Sequence, residues 1–242
     1  MRSPEASSFV LEAASAVAPG RREVKFSLPN VDAGKFRSIL DVNCRRVSYA
    51  GATSRVCSIY FDDAALSAMR ANLDGTSRRT KTRIRWYDTP YPESRFFFEV
   101  KRREDNGIFK ERTPIVASAS LASMSFREIV EGLARVLPAR LREHLIVRSE
   151  PKLLIEYERT YYEALDGPIR ITLDRDFTFW GQGGLYPSRR FPARVPGLTI
   201  LEAKAPFGHE ERIRELLHPL EPWVTRSSKY VLACQHLGLA PP

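Results

Sequence analysis

The chain has 242 residues, enough for one large domain with a core of its own, and its 43% apolar and 10% aromatic content is that of an ordinary folded protein. Thirty-eight lysines and arginines against 29 aspartates and glutamates leave a formal charge of +9, which makes polyanions the first partners to consider. No apolar run approaches the roughly 20 residues of a membrane-spanning helix and no secretory pattern opens the sequence, so a cytoplasmic protein without a membrane span is expected.

Residues 1–20 are rich in Ala and Ser and read as a flexible tail, and residues 21–242 read as a single domain. Alternation with a period of two marks strands at 21–28, 55–61, 80–87, 95–103 and 107–115. Between the second and third of these, Asp62 or Asp63 caps a helix carrying Leu66, Met69 and Leu73, which Asp74-Gly75 ends. The turn signal Glu104-Asp105-Asn106-Gly107 joins the fourth and fifth strands as a hairpin. Phe126, Ile129, Val130, Leu133 and Leu137 form a helical stripe that stops at Pro138, and 140–147 reads as a second helix. Strands resume at 152–162 and 168–177 around the turn Asp166-Gly167-Pro168, and an eighth lies at 198–204. The stretch 181–196, rich in Gly, Pro and Arg, reads as a mobile loop. Ile213, Leu216, Leu217 and Leu220 mark an amphipathic helix before Pro222, and 229–237 a last one. Eight strands, several adjacent in sequence, predict an α+β domain: an eight-stranded antiparallel β-barrel with helices packed outside.

Cys44, Cys57 and Cys234 form no CxxC pair and read as small buried hydrophobes in a reducing compartment. The four histidines show no zinc-ligand spacing, and no Ser/His/Asp or Cys/His arrangement is evident.

The strands carry unusual charge. Lys81, Arg83 and Arg85 share one strand face, as do Lys101 with Arg103 and Lys110 with Arg112, while Lys25, Arg159, Arg170 and Lys204 add single cations elsewhere. Carboxylates sit two positions from a cation on the same face: Glu23 by Lys25, Glu99 by Lys101, and Glu202 by Lys204. Either these charges line a solvated outer face, with each carboxylate a simple salt-bridge partner, or they point into a barrel. The opposite faces, with Ile84, Trp86, Phe98, Val100, Ile171, Leu173, Leu201 and Ala203, are apolar enough to lie under helices, which favours the barrel. Two cations at ~4 Å repel by roughly 4 kcal/mol at an effective dielectric of 20, and a chain of phosphates relieves that conflict. Arginine suits the task because its fork binds phosphate oxygens bidentately.

The segments Glu23-Val-Lys25-Phe26, Ser58-Ile-Tyr-Phe-Asp62, Lys81-Thr-Arg83-Ile-Arg85-Trp86-Tyr87 and Phe98-Glu99-Val-Lys101-Arg102 carry a family resemblance. So do Lys110-Glu-Arg112, Tyr157-Glu-Arg159, Arg170-Ile-Thr-Leu-Asp174, Leu201-Glu202-Ala-Lys204 and Ser227-Ser228-Lys229-Tyr230. In this order they resemble the VTC domain, the polyphosphate polymerase branch of the triphosphate tunnel metalloenzymes. The resemblance implies a tunnel that holds ATP, another triphosphate or inorganic polyphosphate together with Mn²⁺ or Mg²⁺. By position it implies that Lys25, Arg83, Arg85, Lys101, Arg159, Arg170 and Lys204 act on the reacting phosphates. Lys110, Arg112, Tyr157, Ser228 and Lys229 are implied substrate binders. Glu202 is implied as the principal metal ligand, with Glu23 and Glu99 as lesser candidates. Eukaryotic relatives work in membrane complexes, which raises a membrane-protein partner. One departure stands out: the related hydrolases and cyclases open with two carboxylates before the lysine, and Arg21 takes the first of those places here.

The expected chemistry is phosphotransfer, with hydrolysis of triphosphates and non-catalytic polyphosphate binding as rivals. No nucleic-acid partner is expected, because Trp86 and Phe96–Phe98 are phased toward a core rather than toward bases.

Overall fold

The computed structural model describes residues 9–11, 22–29, 33–49, 51–104, 107–218 and 228–240. The chain begins with β1 (Phe9–Leu11), β2 (Arg22–Pro29), α1 (Ala33–Asn43), β3 (Cys44–Val47) and β4 (Ser54–Asp62). Next come α2 (Ser67–Leu73) and three strands in succession, β5 (Arg79–Tyr87), β6 (Arg95–Glu104) and β7 (Gly107–Ala117). Two helices, α3 (Phe126–Val136) and α4 (Ala139–Val147), lead to β8 (Glu150–Ala164) and β9 (Arg170–Gly181). The chain closes with β10 (Ala193–Val195), β11 (Leu198–Ala205), α5 (Glu210–Leu217) and α6 (Lys229–His236).

All eight expected strands form one antiparallel path in the order β7-β6-β5-β4-β8-β9-β11-β2. No backbone ladder joins β7 to β2 among the described residues. The sheet instead curls until side chains meet across it, with Lys101 Nζ on β6 lying 2.9 Å from Glu23 Oε2 on β2. The result is the expected barrel-like tunnel, open in its hydrogen bonding and bridged inside by ion pairs.

Period-two alternation gives each strand an apolar outer face. On β4 to β6, Cys57, Ile59, Ile84, Trp86, Phe96 and Phe98 pack under Ile129 and Leu133 of α3 and Leu141 and Leu145 of α4. The far side repeats the plan, with Phe26, Ile171, Leu173, Leu201 and Ala203 under Leu40 of α1 and Ile213 and Leu216 of α5. α3 starts at a capping box formed by Ser125 and Glu128, the arrangement that satisfies its first free N–H groups. Asp63 and Asp62 do the same for α2, accepting from Ser67 N and Ala68 N at 2.9 Å each. A third cluster lies inside the tunnel. Tyr60, Leu153, Ile155, Phe177, Phe179 and Ile200 face inward and pack with Tyr230, Val231 and Ala233 of α6 and Met69 of α2.

Several expectations need correction. The supposed tail contributes β1, which pairs with β7 at Phe9↔Ala117 and places Phe9 edge-on to Phe96. Phe9 also occupies the space beside Gly132, where an added Cβ would lie 2.4 Å from its ring. The loop expected to be mobile is pinned: Gln182 and Ser188 exchange two hydrogen bonds, and Arg189 bonds Glu156 and lies over the Trp180 ring. α1, β3 and β10 were not foreseen. The hairpin between β6 and β7 is present, with Glu104 opposite Gly107, although Asp105 and Asn106 lie outside the described residues, as do Leu220, Pro222 and Ser227. All three thiols are buried as expected, which pushes Cys44 up to about 11 and Cys57 and Cys234 up to about 12.

Candidate functional site

Register sets the charges in rows. On the wall made by β5, β6 and β7, Lys81, Lys101 and Lys110 stand directly opposite one another, and in the next row Arg83 faces Glu99, which faces Arg112. Like charges directly across a ladder destabilise it, so the lysine row is a cost that local folding does not require. On the opposite wall, Lys204 and Glu23 form one row, Glu202 and Lys25 the next, and Arg159 and Asp174 a third. The inward cations outnumber the inward carboxylates.

The carboxylates hold part of this charge. Arg159 grips Asp174 through two hydrogen bonds of 2.6 and 2.7 Å, and Lys229 reaches the same carboxylate at 2.8 Å. Glu23 receives Lys25 at 2.6 Å as well as Lys101, and Glu202 receives Lys204 at 2.6 Å. α6 crosses the lumen at its first turn, where Ser228 Oγ accepts from Lys81 Nζ at 2.8 Å. Its amino terminus thus adds partial positive charge to an already cationic space.

Two inward cations have no carboxylate partner among the described residues. Arg85 is only 5% exposed, and its recorded acceptors are hydroxyls: Ser58 Oγ at 3.0 Å and Tyr157 Oη at 3.3 Å. Lys81 has only Ser228, and burial together with Lys25 and Lys101 drives its ammonium well below the usual lysine range. Partial burial and the nearby Arg83 and Arg85 push Lys110 down to about 8, against the pull of Glu99. Burial lowers Lys25 as well, but Glu202 and Glu23 outweigh it and hold that ammonium above its ordinary range. A space that depresses some lysines while leaving two cations without a counter-charge is electrostatically suited to an anion.

The structure gathers almost every expected site residue. Lys25, Arg83, Arg85, Lys101, Lys110, Arg112, Arg159, Lys204, Lys229, Tyr157 and Ser228 line one interior with Glu23, Glu99 and Glu202. Arg170 is the exception. It is the first residue of β9, its side chain is 60% exposed, and it pairs with Glu163 at 3.7 Å on the rim. Alternation puts it on the right face, but the lumen ends before it.

Magnesium and manganese take oxygen ligands, typically one or two carboxylates completed by phosphate oxygens and water. No group of three or more His, Cys, Asp or Glu side chains able to hold a metal gathers among the described residues. Glu202 and Glu23 are diagonal neighbours on β11 and β2, close enough that each opposes the other's ionisation. Burial works against a charged Glu202, yet Lys204, Lys25 and Lys229 hold its carboxyl well below the usual range. This ionised pair fits a divalent ion that draws its other ligands from phosphate. Glu99 has more ion-pair partners than either, with Arg83 at 2.5 Å, Lys110 at 3.2 Å and Arg112 at 3.4 Å, and has no second carboxylate recorded beside it.

Sequence reasoning left Lys81, Ser58, Tyr60 and Asp174 without a role in the site, although all four stand in the quoted segments. Their shared signal is parity, since each occupies the inward phase of its strand. Trp86, Phe96 and Phe98 have the opposite phase and are buried under α3 and α4, whereas Phe97, expected in the core with them, is half-buried on the other face with Arg112 over its ring.

A profile of the VTC domain family matches residues 20–237. No curated protein sequence matches this chain. Among solved structures, a candidate adenylyl cyclase from Hippeastrum, described as having a dominant triphosphatase activity, is similar at 14% identity over 91% of this chain and 98% of that one, with a TM-score of 0.47. A Pyrococcus horikoshii protein is similar at 13% identity, covering 87% and 97% of the two chains with a TM-score of 0.44. A candidate adenylate cyclase from Vibrio parahaemolyticus is similar at 12% identity, covering 88% and 98% with a TM-score of 0.44.

Proposed function

The chain belongs to the VTC domain family, and on that premise we propose that it is a polyphosphate polymerase-like phosphotransferase acting on ATP or a related triphosphate with a divalent metal. The observation that carries the proposal is the excess of inward cations, above all Arg85 and Lys81, which have no carboxylate partner among the described residues. Surface decoration does not explain buried like charges, whereas a bound chain of phosphates neutralises them.

In this reading Arg83, Arg85, Lys81 and Lys101 hold the phosphate oxygens from one wall, and Arg159, Lys25, Lys204 and Lys229 from the other. An oxygen of an acceptor phosphate attacks the γ-phosphorus, the bond from that phosphorus to the β–γ bridging oxygen breaks, and the nucleoside diphosphate leaves with the electron pair. Such a reaction needs alignment and charge neutralisation rather than a protein nucleophile. Glu202, with Glu23, would hold the metal, which when bound supplies further neutralisation and orientation of phosphate oxygens. Glu99 serves instead to keep Arg83, Lys110 and Arg112 in place.

No helix among the described residues is long and apolar enough to cross a membrane. A membrane-protein partner has no support in the described residues and is not part of the proposal. The test is to incubate the protein with ATP and Mn²⁺ and resolve phosphate chains on a gel. Chains that lengthen with time support the polymerase reading. Orthophosphate release without lengthening makes the protein a triphosphatase, and tight polyphosphate binding without nucleotide turnover makes it a binding protein.

A further inference from the structure

A serine and a lysine meet at the first turn of α6. Ser228 caps that helix, its Oγ accepting from Val231 N at 3.4 Å, and the same oxygen lies 2.8 Å from Lys81 Nζ. Lys81 has no other partner recorded among the described residues. The charged groups that act on it most strongly are cations: Lys101 directly across the ladder, Arg79 and Arg83 on its own strand, and Lys25 from the opposite wall. Burial and these like charges favour the free amine, whose lone pair then accepts the Ser228 O–H across the same 2.8 Å. The serine thus has a base within hydrogen-bond reach.

A bound triphosphate shifts that balance. Its negative charge favours a protonated Lys81, and the Ser228 hydroxyl proton is the one already hydrogen-bonded to the amine. The oxygen left behind sits at the amino end of a helix, where partial positive charge stabilises it. Pairs of serine and lysine act as nucleophile and base on unrelated folds, and phosphoryl transfer asks chiefly that the nucleophile be aligned.

We propose that Ser228 is a phosphoryl acceptor and that the protein phosphorylates itself there, with Lys81 as the general base. Ser228 Oγ bonds to the γ-phosphorus of a nucleoside triphosphate as its proton passes to Lys81 Nζ. The bond from that phosphorus to the β–γ bridging oxygen breaks, and the nucleoside diphosphate leaves with the electron pair. The phosphoserine then lies against the ammonium just formed and presents the oxygens of an acceptor phosphate, so the first phosphate of a chain is carried by the protein itself. This inference rests on the phosphate-binding reading above, and the lengthening of a free phosphate acceptor proceeds without it.

The experiment incubates the protein with Mn²⁺ and ATP radiolabelled at the γ-phosphate, then separates the denatured chain and maps the label by tandem mass spectrometry. Acid-stable phosphoserine at Ser228 is expected. Ser228→Thr, which keeps the hydroxyl and the helix cap, should retain the label as phosphothreonine, and Ser228→Asn, which keeps only the cap, should abolish it. Lys81→Arg keeps a cation that cannot take up a proton, so labelling at saturating ATP should slow by about a hundredfold or more. ATP turnover with no label on Ser228, or label confined to Ser227, would overturn the proposal. Undiminished labelling of folded Lys81→Arg would overturn it as well. Should the parent protein neither bind tripolyphosphate nor turn over ATP, the phosphate-binding reading itself falls, and the inference with it.

Discussion

The inward surface of the tunnel divides into two regions that obey opposite rules. Around Phe177, Phe179, Leu153 and Tyr230, side chains are buried against each other in an apolar and aromatic cluster, with the Tyr230 hydroxyl satisfied by Asp62. Around Lys81, Arg83, Arg85 and Lys101, side chains are buried or half-buried against their own charge, with hydroxyls and too few carboxylates as partners. The first region gains stability from its packing. The second sacrifices stability to hold an arrangement that only a ligand completes, as functional sites commonly do. The first region is built from β8, β9 and α6 and the second from β5 and β6 of the same sheet, so the difference lies in which residues take the inward phase on each part of it.

If that division is right, substitutions in the two regions should separate stability from function. Phe179→Ala removes a fully buried ring from the apolar region and should destabilise the protein by about 3–5 kcal/mol, read from chemical denaturation. Glu202→Gln keeps shape and removes charge. Metal-dependent turnover should fall by about a hundredfold or more, while the affinity for metal-free polyphosphate holds or rises. Intact turnover in this variant would move the metal elsewhere.

Lys81→Met should show the reverse of the phenylalanine result. Removing an ammonium that burial and neighbouring cations already disfavour should leave the unfolding midpoint equal or a few degrees higher, as a differential scan would show. Affinity for tripolyphosphate should drop about tenfold in the same protein. A fall in both quantities would erase the contrast between the two regions.

The subtlest effect concerns protons. Burial pushes Lys110 down to about 8 from near 10.5, so from pH 8 upward the folded chain has released a proton that the unfolded chain keeps. Its contribution to stability therefore rises with pH across that window, being most unfavourable below pH 8. A bound anion restores the charge. Phosphate binding at pH 9 should thus take up about one more proton in the parent than in Lys110→Met, measured as the dependence of binding enthalpy on buffer ionisation heat.

The pattern of alternation alone determined the eight long strands, because side-chain direction in a strand is fixed by backbone geometry within two residues. The same parity pointed Arg83, Arg85, Lys101, Arg159 and Glu202 to one surface, and the apolar opposite phase implied that this surface was inside. Local pattern has no access to what lies across the lumen. Glu99 and Glu202 look alike in sequence, each two residues from a lysine, yet the first has three ion-pair partners while the second pairs with Lys204 and has Glu23 as a neighbouring carboxylate. Arg170 has the right phase but starts its strand on the rim, and Phe9 leaves a polar-looking tail to fill the gap beside Gly132. Only the curl of the sheet decided these outcomes, and with them the placing of Ser228 and Tyr60. Curl and register are collective properties of many strand pairs and of the helices packed on them, so no single segment encodes them.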